Sequence, residues 1–301
     1  MSGPPVIYGE VLFDCFENGQ RVLGGAPFNV AWHLQALGSA PLFVSRVGND
    51  RMGREIQAAM RHWGMSTAGI QIDHAHPTGE VRVTLRGGQP EFDILPDRAY
   101  DHIDPVAIPP LSPPLIYHGS LILRNRVSAR ALDHLIERYQ APVFMDVNLR
   151  PPWWRRETMD QVLDRARWVK VSSSELEALV GGDATLGEKA KKLMARHDLE
   201  WLIVTLGDQG LLSLDDTGAL HKQSPATTME VVDSVGAGDA FTAVCILGLF
   251  NGWPRALTLE RAQRLASAVL GLRGAITDDA AFYQPFIDAW ELAPPEGVPG
   301  E

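Results

Sequence analysis

Short apolar runs alternate with amphipathic segments along most of the chain. The runs are rich in β-branched or aromatic residues, as strands are, and the segments between them carry the periodicity of helices. This alternation predicts an α/β fold in which helices cover both faces of a mostly parallel sheet. The predicted strands are Val6–Phe13, Leu42–Val47, Leu115–Tyr117, Val143–Val147, Trp168–Val171 and Leu202–Thr205, and the predicted helices include Asn29–Leu37, Gly53–Trp63, Ser128–Tyr139 and Thr258–Leu272.

Two stretches interrupt the alternation of strands and helices. Thr78–Leu85 alternates apolar and polar residues, turns at Gly87-Gly88 and continues to Ile94, which predicts a β-hairpin without a crossover helix. Asp14–Val22 is a second polar, turn-rich excursion. Together these segments, about 12–24 and 78–96, predict a small sheet that projects as a lid from a single domain spanning residues 1–301.

The composition excludes several classes of function. Lys and Arg number 27 against 37 Asp and Glu, so the net charge is −10. Because an acidic chain repels phosphate backbones and anionic lipid, we expect neither a nucleic acid nor a membrane as partner. The only cysteines, Cys15 and Cys245, are too few for a disulfide framework, which favours a reducing, cytoplasmic compartment. No apolar run approaches the roughly 20 residues of a membrane span.

Several familiar binding motifs are absent from the sequence. No Gly-Lys dipeptide occurs, so there is no P-loop. Gly236 and Gly238 have the first spacing of a dinucleotide-binding turn, but Phe241 stands where its third glycine belongs. His74 and His76 are interpreted as a solvated pair without a metal.

The most informative segment is a glycine turn over residues 233–239, between an apolar stretch, Val231-Val232, predicted as a strand and a long apolar helix that ends at Gly252. Such a turn directs backbone N–H groups outward at a helix N-terminus, where an anion is favoured. Asp239 lies beside those donors in the first helical turn. The residues alone leave two interpretations open, a cradle for a phosphate or a tight turn followed by an ordinary first-turn acid.

A second segment, Gly24-Gly25-Ala26-Pro27-Phe28-Asn29, also brings backbone close to a neighbour before a helix. Asn29 would cap that helix in the structural interpretation. In the functional interpretation its side-chain amide offers a donor and an acceptor to a polyol.

These two segments, in this order and separation, resemble the two signatures of the ribokinase-like (PfkB) carbohydrate kinase family. Landmarks between them resemble the family as well, and the resemblance covers most of the chain. Details of the sequence are most similar to bacterial fructokinases: Ala26-Pro27 after the glycine pair, Pro77-Thr78-Gly79-Glu80-Val81, Ala99-Tyr100-Asp101, His118-Gly119-Ser120-Leu121 and Asn148-Leu149-Arg150-Pro151.

The resemblance implies a ribokinase-like three-layer sandwich with a small β lid, and an ATP-dependent sugar kinase. D-fructose is the expected acceptor and fructose 6-phosphate the product. The alternatives are a kinase of ribose, 2-keto-3-deoxygluconate, a nucleoside or fructose 6-phosphate, and a non-catalytic descendant that binds sugar or nucleotide.

The resemblance also implies roles for individual residues. Asp239 is the expected base, and the N–H groups of Gly236, Ala237 and Gly238 are the expected anion hole. Asp14, which follows the end of the first predicted strand, is expected to bind sugar hydroxyls together with Gly25 and Asn29, with Phe92 of the lid nearby. Thr205, Gly207 and Gly210 match the nucleotide loop. Arg150 is either a phosphate or substrate contact or a surface arginine.

The resemblance further implies ion sites and a partner. The magnesium-associated motif reads Ser172-Ser173-Ser174-Glu175, with serine in place of the usual asparagine. Glu175 is expected to hold Mg²⁺ of the ATP complex through water, and Ser-x-x-Glu is also a helix capping box. The carbonyls of Asp233 and Val235, with segment 268–274, match a monovalent cation site such as one for K⁺. Paired lids imply a homodimer.

Overall fold

A sheet of nine strands forms the centre of the molecule. The computed structural model describes residues 3–86, 89–224, 232–295 and 297–298, with backbone only at 85–86 and 89–90. In chain order the strands are β1 (Val6–Tyr8), β2 (Leu12–Phe16), β3 (Arg21–Gly24), β4 (Leu42–Gly48), β5 (Ile70–Asp73), β6 (Gly79–Arg86), β7 (Gln89–Ile94), β8 (Ile116–His118), β9 (Val143–Asp146), β10 (Trp168–Ser172), β11 (Trp201–Thr205), β12 (Leu211–Asp215) and β13 (Leu220–Gln223). The large sheet has the order β13-β12-β11-β10-β9-β8-β1-β4-β5.

The large sheet is mostly parallel, as the sequence predicts. Its strands from β11 to β5 run parallel, and β12 and β13 are added antiparallel at one edge. The helices are α1 (Ala26–Ala36), α2 (Arg51–His62), α3 (Arg126–Tyr139), α4 (Arg156–Leu163), α5 (Ser173–Val180), α6 (Leu186–Arg196), α7 (Ala237–Asn251), α8 (Arg255–Val269) and α9 (Ala280–Trp290). None of the helices in the described ranges is both long and apolar enough to cross a bilayer.

Helices cover both faces of the large sheet and form a three-layer sandwich. Alternate residues of a strand point to opposite faces. Ile7 of β1 therefore packs in a core with α1, α2, α7, α8 and α9, whereas Val6 and Tyr8 pack in a core with α3. Further along the sheet, Leu202 and Val204 of β11 pack with α4, α5 and α6. This arrangement confirms the ribokinase-like fold class.

The predicted strand Val6–Phe13 is not one strand. β1 ends at Tyr8 in the large sheet, and β2 begins at Leu12 in a separate small sheet. At Gly9 the backbone lies so close to α1 that a Cβ would be 2.4 Å from the ring of Pro27, so the chain turns away there. Asp14 consequently lies inside β2 and does not follow a strand end, which corrects the predicted position.

The small sheet has the order β3-β2-β6-β7, and it joins the two segments predicted for the lid. β6 and β7 form the predicted antiparallel hairpin, and β2 pairs parallel with β6. The predicted turn at Gly87-Gly88 lies outside the described residues, as does Val231. Val232 lies in a bend rather than in the strand predicted before the glycine turn.

Candidate active site

Asn29 and Asp239 meet at the carboxyl edge of the large sheet. The side-chain Nδ2 of Asn29 donates a hydrogen bond of 2.7 Å to Oδ2 of Asp239. Asn29 does not cap its helix, because α1 begins at Ala26 with Gly25 as N-cap, so Asn29 lies in the second turn. Desolvation of the half-buried Asp239 carboxyl raises its pKa to about 6, and the hydrogen bond from Asn29 lowers it in part.

The glycine turn starts α7 without a side-chain cap. Gly236 has a φ of +85° and packs against Ala275, where a Cβ would lie 2.3 Å from the Cβ of that alanine. Only glycine suits this position. The amides of Gly236, Ala237 and Gly238 are the first N–H groups of an apolar helix, and such a helix start favours an anion.

A buried ion pair lies directly beneath that turn. Nζ of Lys170 donates to Oδ2 of Asp146 at 2.6 Å, and the two residues are register partners on β10 and β9. Thr242 of α7 donates to the same oxygen at 3.0 Å. Nζ of Lys170 lies 3.5 Å from the position that a Cβ on Gly238 would take. The ammonium of Lys170 thus lies close to the backbone of Gly238 while it remains paired with Asp146.

Three further residues lie near the start of the chain: Glu10 between β1 and β2, Asp14 within β2, and Gly25 just before α1. None of the sequence motifs assigns a role to Glu10. Gly25 has a φ of +113°, and a Cβ there would lie 2.8 Å from the carbonyl of Glu10. Burial raises the pKa of Asp14 to about 6 and that of Glu10 to about 7, and the charge of Arg150 lowers both in part. Arg150 is exposed just after β9, and its carbonyl accepts a hydrogen bond from the amide of Trp153, whereas its side chain has no hydrogen-bond or ion-pair partner among the described residues.

The predicted nucleotide loop connects β11 to β12. Thr205 ends β11, and Gly207 and Gly210 have φ values of +61° and +90°. A Cβ on Gly210 would lie 2.0 Å from the carbonyl of Gln223, so a tight turn requires glycine there. The loop follows the carboxyl end of β11, and the match of Thr205, Gly207 and Gly210 to a nucleotide loop stays a prediction.

Both carboxylate oxygens of Glu175 accept hydrogen bonds from backbone amides. Oε2 accepts from the amide of Ser172, whose hydroxyl accepts from the amide of Glu175, so the predicted capping box is present. Oε1 accepts from the amide of Leu149 at 2.7 Å. Since each carboxylate oxygen keeps a further lone pair, this arrangement fits a water-mediated contact to Mg²⁺ better than direct coordination.

Two segments expected at the monovalent cation site are adjacent in the fold. The amides of Val232 and Asp233 donate to the carbonyl of Leu270, and the amide of Gly274 donates to Oδ2 of Asp233. Val235 follows, 41 % exposed. The backbone of 233–235 therefore lies beside 268–274, which fits a carbonyl site, although the carbonyl of Leu270 is already occupied by two donors.

Two further predicted positions lie away from this cluster. Phe92 is on the edge strand β7 of the small sheet and is 52 % exposed. The interpretation of His74 and His76 as a solvated pair is wrong for His76. Its Nδ1 lies 3.1 Å from Oδ2 of Asp73, and its ring stacks on His102.

Sequence reasoning assigned no role to Glu10, Asp146, Lys170 and Thr242. A signal existed for Lys170, because it is the one charged residue in an otherwise apolar predicted strand and must find a partner when buried. The same signal existed for Glu10 and for Asp146, each the one charged residue in an otherwise apolar predicted strand. Thr242 carries no comparable signal, since its role depends on which elements pack together.

The fold and this arrangement are those of a carbohydrate kinase. The model of the pfkB family carbohydrate kinases matches residues 13–281. The chain belongs to that family.

Curated relatives and solved structures agree with this assignment. The chain is 34% identical over 239 residues to fructokinase-1 of Zea mays, with 74% of this chain and 72% of that protein covered. It is 29% identical over 298 residues to a fructokinase of Klebsiella pneumoniae, covering 92% and 96%. The fructokinase of Vibrio cholerae O395, crystallised with fructose, ADP and calcium, superposes with a TM-score of 0.81 at 25% identity, covering 94% of this chain and 98% of that one. A double mutant of that enzyme contains potassium.

Proposed function

We propose that the protein transfers the γ-phosphoryl group of ATP to D-fructose and forms fructose 6-phosphate. The observation that carries the proposal is the hydrogen bond between Asn29 and Asp239 at the uncapped start of α7, which supports a carboxylate base beside an anion hole. The similarity to fructokinases that bind fructose and ADP supports the choice of sugar.

The reaction follows from this geometry. Asp239 is ionised at neutral pH because its pKa is about 6, so it can accept the proton of the attacking hydroxyl. A free alcohol is far too weak an acid to ionise first, so the proton moves late, as the bond to phosphorus forms. The first amides of α7 then stabilise the charge on the transferred group, and Lys170 strengthens their field.

The sugar is held by hydrogen bonds from several elements. Asp14 and Asn29 bind hydroxyl groups, and Oδ1 of Asn29 is buried without a partner in the described chain, as a substrate hydroxyl requires. Gly25 permits close approach of the backbone. Phe92 and the small sheet close over the sugar as a lid. Arg150 lies where it can meet a substrate group or a phosphate.

ATP occupies the loop of Thr205, Gly207 and Gly210. Mg²⁺ neutralises phosphate charge when bound, and Glu175 contacts its water shell. The carbonyls of Asp233 and Val235 form a site for a monovalent cation such as K⁺. The protein is a cytoplasmic homodimer, and both cysteines are free, as expected in a reducing compartment.

Turnover with a panel of acceptors tests the proposal. ADP release should be measured with fructose, ribose, 2-keto-3-deoxygluconate, adenosine and fructose 6-phosphate, using Asp239→Asn as the inactive reference. Fructose should have the highest kcat/KM. Preference for another acceptor would refute the sugar assignment, and absence of turnover with every acceptor would refute the kinase assignment.

A further inference from the structure

A cavity of about 260 Å³ lies between the N-terminal ends of α3 and α4, next to the loop that follows β9. None of the residues proposed above to bind sugar, nucleotide or ions lines this cavity. The lining residues that bear on its chemistry are Ser120, Arg124, Arg126, Trp153, Arg155 and Thr158.

The charge of this cavity is opposite to that of the whole protein. Three arginines line it and no carboxylate does, although the chain has a net charge of −10. Asp101 pairs with Arg124 at 2.7 Å. Arg126 and Arg155 are exposed, and neither forms an ion pair with any described residue. Two guanidinium charges are therefore uncompensated at the cavity.

Arg124 supplies an independent sign of a missing ligand. Its side chain is only 3% exposed and is held over the rings of Tyr100 and Trp153, at 4.9 and 4.8 Å. Nε and Nη2 donate to Asp101, whereas Nη1 is buried and has no hydrogen-bond partner in the part of the chain that the structure describes. An unpaired buried donor of a charged group is costly, so a ligand acceptor would stabilise it.

The backbone adds further donors. Arg155 is the N-cap of α4, and that helix begins without a side-chain cap, so its first amides are available. α3 also starts beside the cavity, and the positive ends of both helix dipoles favour an anion there. The hydroxyl group of Thr158 can donate as well, whereas that of Ser120 already donates to the carbonyl of Asn148 at 2.9 Å.

We propose that this cavity is a second anion site, which binds a small phosphate monoester or inorganic phosphate independently of the kinase substrates. Arg126 and Arg155 pair with the phosphate oxygens, and guanidinium groups suit such pairing because they donate two parallel hydrogen bonds. Trp153 and its neighbour Trp154 form an apolar wall for the rest of the ligand. The inference does not depend on which sugar the enzyme phosphorylates.

Isothermal titration of the full-length protein with inorganic phosphate tests the site, with the nucleotide site saturated by ADP. The variant Arg126→Ala/Arg155→Ala removes two exposed side chains, so it should fold, which circular dichroism verifies. Arg61→Ala/Arg264→Ala is the control, because both residues are exposed elsewhere and the charge change is the same. Phosphate should bind the wild type and the control alike, and the first variant at least roughly tenfold more weakly.

Three results would overturn the inference: no binding to the wild type, equal binding to all three proteins, or equal loss in both variants. The last would show a response to overall charge. Titration with phenyl phosphate then distinguishes the two ligand sources, since an apolar wall adds affinity for a monoester with an apolar organic group and none for inorganic phosphate.

Discussion

The side chains of Asn29 and Asp239 are 210 positions apart in sequence and joined by a hydrogen bond of 2.7 Å. One lies in the second turn of α1 and the other in the first turn of α7. The residue that matches a sugar contact therefore also holds the expected base. Because the bond favours the ionised carboxylate, it limits how far burial can raise the pKa of Asp239.

Replacing Asn29 with alanine should move the acidic limb of the kcat–pH profile to higher pH. The amide favours ionised Asp239, so its loss raises the pKa of that carboxyl above about 6 and leaves more of the base protonated at pH 6–7. KM for the sugar should rise too, because Asn29 is a proposed contact. Asp239→Asn should abolish the acidic limb of the kcat–pH profile and lower kcat by a factor of roughly 10²–10⁴. An unmoved limb in Asn29→Ala would contradict the coupling.

Lys170→Met should lower both stability and kcat. Removal of one partner of a buried pair leaves Asp146 uncompensated, at a cost of roughly 3–5 kcal/mol. The ammonium also lowers the pKa of Asp239, so the acidic limb of kcat should move to higher pH. Urea unfolding and pH–rate profiles measure the two effects.

A double variant, Asp146→Asn/Lys170→Met, tests whether both effects come from the buried charges. It should recover much of the stability, because no charge is left buried alone. Its acidic limb should return to or below the wild-type pH, because Asp146 raises the pKa of Asp239 and Lys170 lowers it. If Lys170→Met leaves the pH profile of kcat unchanged while lowering stability, Lys170 is only a structural residue.

The sequence predicts the layers of this fold well and the path between them less well. Apolar runs bounded by turns identify strands because a buried parallel strand needs apolar residues on both faces. The break of Val6–Phe13 into two strands of different sheets is not visible in that pattern. It depends on the close approach of Gly9 to Pro27, which only the packing of α1 creates.

In the candidate site, too, local features follow from the sequence, whereas contacts between distant segments do not. The glycine turn and the acid after it are local, so their geometry follows from the sequence around Gly236 and Asp239. The pairing of Asp146 with Lys170 depends on the register of β9 and β10, and that of Asn29 with Asp239 on the contact of α1 with α7. Such contacts between distant segments cannot be read from periodicity.

Gly236→Ala should be far more damaging than Gly252→Ala at the other end of the same helix. Both glycines have positive φ, so an alanine is strained by roughly 1 kcal/mol at either position. A Cβ at Gly252 meets open space, whereas one at Gly236 collides with Ala275 and would displace the amides that we propose as the anion hole. Thermal unfolding and kcat should separate the two variants. Equal behaviour would show that the contact with Ala275 adjusts freely.

Light scattering should give a particle of twice the 33.0 kDa chain mass. The small sheet ends in the exposed edge strands β3 and β7, and β7 carries Phe92, which is 52 % exposed. Edge strands expose unpaired backbone N–H and C=O groups, and the small sheet of a second copy of the chain would cover them. Phe92→Ser should shift the particle toward the monomer, and Val106→Ser, at an exposed site away from the small sheet, should not. A wild-type monomer at micromolar concentration would refute the paired lids.

Glu10→Gln should make the unfolding free energy less dependent on pH. Glu10 is 4% exposed, and burial raises its pKa from 4.5 to about 7. The folded state therefore binds this proton more tightly than the unfolded state. The stability contributed by Glu10 is complete below about pH 4.5 and is lost as the pH rises through about 7. Glutamine resembles the protonated form at every pH.

The variant should thus match the wild type near pH 5 and exceed it by about 2–4 kcal/mol near pH 8, as a pKa difference of this size implies. Urea unfolding of the protein without substrates at the two pH values measures the difference, and all other titrating groups cancel in the comparison. Glu157→Gln, at an exposed position in the first turn of α4, is the control and should show no such gain. A gain for Glu10→Gln that is equal at both pH values would mean that Glu10 is not protonated in the folded protein near pH 5, and that its buried carboxylate is stabilised by Arg150.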